Sequence, residues 1–322
     1  MTRARDSAHN SLLLTIGLGI VLGASCQPEP RLPPSPAGMA LPPTGWPRTL
    51  TDDTGASLTL SVPPKRIVSL APSNTEILFA LGAGDRIVAD TESCDYPPEA
   101  RKRPHIGGMS AGDLERIQVA LPDLVVAVGS INQKLIGALR AARIPTLAVQ
   151  PRTTDDVLAT VRLLGKATGQ DSTAERLAAD VKGRIDRVRV LTARAPNRPK
   201  TLIVYSANPI YTSPPDSFIH DLIGVAGGTD IVQTPLPQNI VSPAVVVERA
   251  PEVIICSPSL NERLKAIPGW GIVPAVKNNR FFATTGAAEL TRPGPRLAEG
   301  VEQLARYLHP ELYPSGAGRG AR

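Results

Sequence analysis

A chain of 322 residues that is 42% hydrophobic is long enough to bury two cores of ordinary domain size. Its net charge of +6 comes from scattered basic residues, with 3% aromatics and no dense basic run, a pattern that argues against nucleic acid as a partner. The three cysteines, Cys26, Cys94 and Cys256, show no CxxC or Cys/His spacing of the kind that marks a structural zinc site.

The first residues carry a targeting pattern. Arg3 and Arg5 precede an apolar run over 12–22, and small residues lead to Cys26. That run is too short to stay in a bilayer as a spanning helix. Residues 22–26, Leu-Gly-Ala-Ser-Cys, resemble a bacterial lipoprotein cleavage site, which implies a signal peptide over 1–25 and a lipid on Cys26. The proline-rich stretch 26–47 cannot pack a core and is expected to act as an extended tether. The mature chain is therefore placed outside the cytoplasm, in the periplasm or at the cell surface, and held to the membrane.

Alternating residues around Asp53-Thr-Gly55 predict a hairpin within 46–64. Short β-branched runs then predict strands at 67–70, 87–89, 124–128 and 146–149, with helical patterns at 75–81, 114–121, 132–142 and 154–168. Over 172–195 apolar residues recur at Ala174, Leu177, Ala178, Val181, Ile185, Val188 and Leu191, the spacing of one buried helical face. Ser172 and Glu175 there match a capping box, and Pro196 with Pro199 ends the helix.

The pattern repeats beyond this rod. Strands are expected at 202–205, 230–232, 253–256 and 281–283, and helices at 217–225, 244–249, 261–277 and 295–308. The stretch 81–88 parallels 225–232, and Leu121-Pro-Asp-Leu parallels Ala250-Pro-Glu-Val. Strands alternating with helices predict an α/β fold of two Rossmann-like lobes with parallel sheets. The expected divisions are an N-terminal lobe at 48–170, a single long backbone helix at 171–196, a C-terminal lobe at 197–314 and a disordered tail at 315–322. A ligand cleft is expected between the lobes, at the carboxyl ends of the strands.

Four motifs in order resemble one family: Arg66-Ile-Val-Ser-Leu-Ala-Pro-Ser-Asn-Thr-Glu76, Cys94-Asp-Tyr-Pro-Pro-Glu99, Asp113-Leu-Glu-Arg-Ile117 with Pro122-Asp-Leu-Val125, and Arg292-Pro-Gly-Pro-Arg296. That family is the substrate-binding proteins of cobalamin and iron-siderophore ABC importers, and the cobalamin branch in particular. The resemblance implies a monomeric receptor that captures a small-molecule metal chelate and hands it to permease subunits. Cobalamin or a related corrinoid is the expected ligand, with a ferric siderophore or haem as the alternative. It implies ligand contacts at Tyr96, Met109, Tyr211, Gln238 and Arg292. It also implies a docking carboxylate on each lobe. Glu115 fits the first position, seven residues before Pro122; the second falls on Ala244, with Glu248 one helical turn further on the same face.

Two other function classes find less support in the residues. No HExxH, GxSxG or P-loop occurs, the four histidines are scattered, and Gly82-Ala-Gly84 follows a helix as a stop signal, so an enzyme is not expected. Ser73 with Glu76 reads as a capping box. A surface lipoprotein that acts as an interaction module without a small ligand is the third class.

Overall fold

The computed structural model describes residues 44–110, 112–283 and 288–313. The expected signal peptide, the expected lipidation site Cys26, most of the expected tether and the expected C-terminal tail lie outside the described residues. Trp46, assigned to the tether by composition, is buried at 9% exposure, and Arg48 stacks on its ring at 4.8 Å. The folded body therefore begins at least two residues earlier than expected.

The hairpin forms as β1 (Arg48–Thr51) and β2 (Ser57–Leu60). Its turn holds because Asp52 Oδ1 accepts the N–H groups of Thr54 and Ala56, while Gly55 takes φ +80°, where a side chain would be strained. The N-terminal lobe follows as β3 (Ile67–Ser69), α1 (Pro72–Ala80), β4 (Ile87–Ala89), α2 (Leu114–Val119), β5 (Leu124–Val128), α3 (Gln133–Ala141), β6 (Thr146–Val149) and α4 (Thr154–Thr168). Next comes the long helix α5 (Asp171–Thr192). The C-terminal lobe comprises β7 (Lys200–Val204), a small hairpin of β8 (Ser206–Ala207) and β9 (Ile210–Tyr211), α6 (Phe218–Val225), β10 (Thr229–Asp230), α7 (Pro243–Arg249), β11 (Val253–Cys256), α8 (Asn261–Lys265), α9 (Pro274–Lys277) and β12 (Phe281–Ala283). It closes with α10 (Ala288–Thr291) and α11 (Leu297–Leu308).

Both lobes carry a four-stranded parallel sheet, ordered β4-β3-β5-β6 and β10-β7-β11-β12. Leaving the small hairpin aside, each is second-first-third-fourth in its own lobe, so the two halves share a topology. They also share an unusual backbone feature. Leu121 and Ala250, each the residue before a proline, take φ +46° and +49°. The left-handed turn after α1 falls at Gly82 and that after α6 at Gly227. This shifts the expected pairing of 81–88 with 225–232 by one residue.

Several local expectations change. Helix α5 starts at Asp171, and its N-cap Gln170 makes no side-chain bond. Gly169 ends α4 at φ +74° and turns the chain directly into the next helix, while Glu175 reaches across to Arg162 at 2.9 Å instead of capping. The capping box that does form is Thr153 with Asp156, at the start of α4. The single helix expected over 261–277 is broken into α8 and α9. Gly269 sits at φ +82° in the break, and Trp270 beside it is fully buried.

Side-chain alternation along the strands divides the core. Ile67, Leu124, Val126, Ile203, Val253 and Ile255 point to the inner faces, where α1, α4, α5, α6 and α11 join them into one continuous apolar cluster. The outer faces have separate clusters, with Val68, Val125 and Ala148 in one lobe and Leu202, Ile254 and Trp270 in the other. So α5 is no free-standing rod: at about 33 Å for its length it packs along both α4 and α11. The α4–α5 contact depends on Gly165, where a Cβ would come within 2.2 Å of the Ala174 Cβ. Gly165→Ala is accordingly expected to lower stability by about 1–3 kcal/mol through overpacking, read as a fall in the thermal midpoint.

Candidate functional site

In parallel sheets the loops that leave the carboxyl ends of the strands are where ligand groups collect. In the N-terminal lobe these loops carry Tyr96 and Met109 after β4 and Ile131 after β5. In the C-terminal lobe they carry Tyr205 and Tyr211 after β7 and Gln238 after β10. Large apolar side chains stay exposed here: Tyr96 at 43%, Tyr205 at 46%, Tyr211 at 40% and Ile131 at 39%.

Hydrogen bonds tie several of these loops to the sheets. The Met109 carbonyl accepts from Asn132 Nδ2 at 2.7 Å, and Asn132 Oδ1 in turn accepts the Val128 N–H at 2.9 Å, which ties the loop to the end of β5. A groove of about 520 Å³ runs next to it, lined by Ser110, Ser130, Ile131, Gln133 and Lys134. Tyr211 pairs with Ile240, and Thr212 N–H donates to the Asn239 carbonyl at 2.9 Å. The structure thus brings Tyr211 next to the turn that holds Gln238, itself exposed and left-handed at φ +53°. Tyr205, a further exposed ring at this edge, was not singled out because it looked like the end of a strand. Its N–H donates to the Tyr211 carbonyl at 2.9 Å and its hydroxyl lies 2.8 Å from Ser213 Oγ. Burial of that hydroxyl end pushes its pKa up to about 12. The repeated tyrosines on either side of Asn208-Pro209 were the available signal.

The guanidinium of Arg292, expected as a ligand contact, is held in ion pairs that cross between the lobes. It bonds Asp95 at 2.5 Å, Glu76 at 3.2 Å and the Ser93 carbonyl at 3.4 Å. Arg296 grips both oxygens of Glu76, at 2.7 and 3.0 Å, bonds Glu289 at 2.9 Å, and stacks 3.8 Å from the Tyr96 ring centre. Glu76 is therefore no capping residue. It is a buried carboxylate, 3% exposed, facing two arginines from the other lobe. The Arg292 bond holds the Asp95 carboxyl below its usual range, and the Glu76 bonds hold Arg296 above its own. A second set of bonds crosses between the lobes, from Arg152 to Asp216 at 3.3 Å and from Thr154 N–H to Asp221 at 2.7 Å.

Asp90, at the end of β4, is fully buried with Oδ1 2.8 Å from His105 Nδ1. Burial pushes its carboxyl up to about 6, against the pull of His105. Since the folded pKa is raised, the stabilising contribution is complete below the unfolded value near 4 and is lost as pH rises through about 6. Stability is expected to fall by about 2–3 kcal/mol across that window. Asp90→Asn is expected to flatten the profile, measured as thermal midpoint against pH; an unchanged slope would show that Asp90 is not its source.

Cys94 and Cys256 are both buried free thiols, one in each lobe. A hollow of about 550 Å³ lined by Pro199, Glu252, Arg280 and Arg306 sits at the amino ends of β7, β11 and β12, the edge opposite the site.

Glu115 and Ala244 are each the second residue of their helices, α2 and α7, after the side-chain caps Asp113 and Ser242. Glu115, Ala244 and Glu248 are all exposed. A helix between parallel strands runs back against them, so both helices start at the carboxyl edge, after the loops that carry Met109 and Gln238.

Comparison with known proteins identifies the family. The family model described as periplasmic binding protein matches residues 67–288. The chain is 29% identical over 276 residues to an uncharacterised ABC transporter substrate-binding lipoprotein, YvrC, of Bacillus subtilis, covering 83% of this chain and 87% of that protein. It superposes on the periplasmic vitamin B12 binding protein BtuF of Vibrio cholerae with TM-score 0.69 at 29% identity, over 76% of this chain and 97% of the other. It also superposes on the apo form of the periplasmic heme-binding protein RhuT from Roseiflexus sp. RS-1 with TM-score 0.70 at 28% identity, over 77% and 99%.

Proposed function

The chain belongs to the periplasmic binding protein family, and on that premise we propose that it captures cobalamin or a related corrinoid between its lobes for an ABC importer. The observation that carries the ligand class is the exposure of Tyr96, Tyr205, Tyr211 and Ile131 at the carboxyl edges of both sheets. Broad apolar faces backed by polar edges suit a large flat macrocycle. Met109 and Gln238 extend the two walls, and Arg292 acts on the ligand's surroundings through Asp95. The likeness to BtuF supports this reading.

Handover is proposed to occur by docking of α2 and α7 on the permease, with Glu115 as the first-lobe contact and Glu248 standing in for the carboxylate absent at Ala244. No helix among the described residues is long and apolar enough to cross a membrane. The family supports an extracytoplasmic location, and attachment through a lipid on Cys26 is proposed together with action as a monomer.

Haem or a ferric siderophore is the second reading. It is favoured by the exposed Tyr96 phenol, since tyrosine oxygen ligates ferric iron in haem proteins, and by the likeness to RhuT. Titration of the mature protein with cyanocobalamin, cobinamide, haemin and a ferric hydroxamate, followed by calorimetry and absorbance, separates the readings. Cyanocobalamin is expected to bind and haemin not. Haemin binding with a visible spectrum that changes in Tyr96→Phe would transfer the assignment to the second reading. Binding of none would leave an interaction module.

A further inference from the structure

The segment Arg292–Arg296 leaves the C-terminal lobe between α10, which packs on α6 and α11, and α11 itself, yet its charges are satisfied on the N-terminal lobe. Pro293 and Pro295 fix φ on both sides of Gly294, so the segment is stiff. A Cβ on Gly294 would lie 3.6 Å from Glu76 Oε2 and 3.8 Å from the Ser73 carbonyl, which places the segment directly on the first turn of α1. Two guanidinium groups here meet three carboxylates, Glu76 and Asp95 across the lobes and Glu289 within their own.

We propose that this segment is a clasp that fixes the separation of the two lobes at the cleft and positions the Tyr96 ring for the ligand. The geometry gives each arginine a distinct task. Arg296 is bidentate on Glu76, whose side chain is 2% exposed, so its guanidinium plane is fixed, and that plane lies 3.8 Å from the Tyr96 ring centre. Arg292 bridges Glu76 and Asp95, and so locks the backbone next to Tyr96 to the same anchor. Arg292 and Arg296 are positioning residues: they act on the ligand through Tyr96 and through the width of the cleft. The clasp itself is independent of which chelate is bound, whereas its effect on affinity rests on the reading that Tyr96 lines the cleft.

The test is ligand-free. Spin labels at Val119→Cys and Ile272→Cys, both over 70% exposed and on different lobes, report the inter-lobe distance distribution by pulsed electron resonance. The parent is expected to show one narrow peak, and Arg296→Met to broaden it at least twofold. Asp95→Asn, at a half-exposed site, is expected to fold and to broaden the peak less. It decides the matter where Arg296→Met does not fold. Arg162→Met, which breaks a surface pair away from the clasp, is expected to leave the width unchanged. An unbroadened peak in folded Arg296→Met, or in Asp95→Asn alone, overturns the clasp. A broadened peak in a protein that binds none of the chelates retains the clasp and rejects only the proposed ligand.

Discussion

Charge reversal at Glu115 is expected to reduce ligand uptake by roughly tenfold or more in cells at limiting ligand, because like charges at a docking surface are strongly unfavourable. The same Glu115→Arg protein, purified, should bind ligand as the parent does. Glu115 sits on an exposed helix start, after the loop that carries Met109, and contributes nothing to the walls described for the ligand. The equivalent place on the other lobe is Ala244, so the two docking contacts are unequal. Ala244→Glu should therefore raise uptake if a basic group faces it, and Glu248→Arg should lower it if Glu248 has taken over that role. Normal uptake by Glu115→Arg would remove this helix from the docking surface.

The largest stability effect is expected at Glu76. Removing its carboxylate in Glu76→Ala leaves Arg292 and Arg296, 20% and 16% exposed, without their shared partner. Breaking a buried pair from one side costs about 3–5 kcal/mol, several times what an exposed pair contributes. In a protein of this size that corresponds to a thermal midpoint lower by roughly 6–15 °C. Glu76→Gln, which keeps one acceptor oxygen, should fall in between. A midpoint for Glu76→Ala within a degree or so of the parent would mean that water reaches the arginines and that the site is not dry.

Much of this architecture was legible in the residues. Runs such as Leu124–Val128 are apolar on both faces, which only a parallel sheet covered on each side requires, and the same grammar recurring after α5 pointed to a second lobe. What was hidden depends on distance in sequence. Glu76 and Arg292 are 216 residues apart, and a local rule, Ser73 with Glu76 as a cap, offered a plausible use for the carboxylate. Tertiary pairing won because α1 needs no side-chain cap: Pro72 occupies its first turn, where an N–H would have no helical partner. The break between α8 and α9 was missed for a related reason. Its apolar spacing suits a helix, but burial of Trp270 in the outer core outweighs continuity through Pro268-Gly269. Tyr205 was overlooked because a β-branched run gives no sign of which terminal residue faces solvent.

The apolar cluster that joins the inner faces of both sheets has a bearing on how the molecule comes apart. Ile67 in one sheet and Ile255 in the other belong to a single packed interior through α4, α5 and α11. Neither half can be separated from the other without baring that interior to water. Unfolding by heat or denaturant should accordingly proceed as one cooperative transition. A polypeptide ending at α5 would be left with half of a core and nothing to cover it.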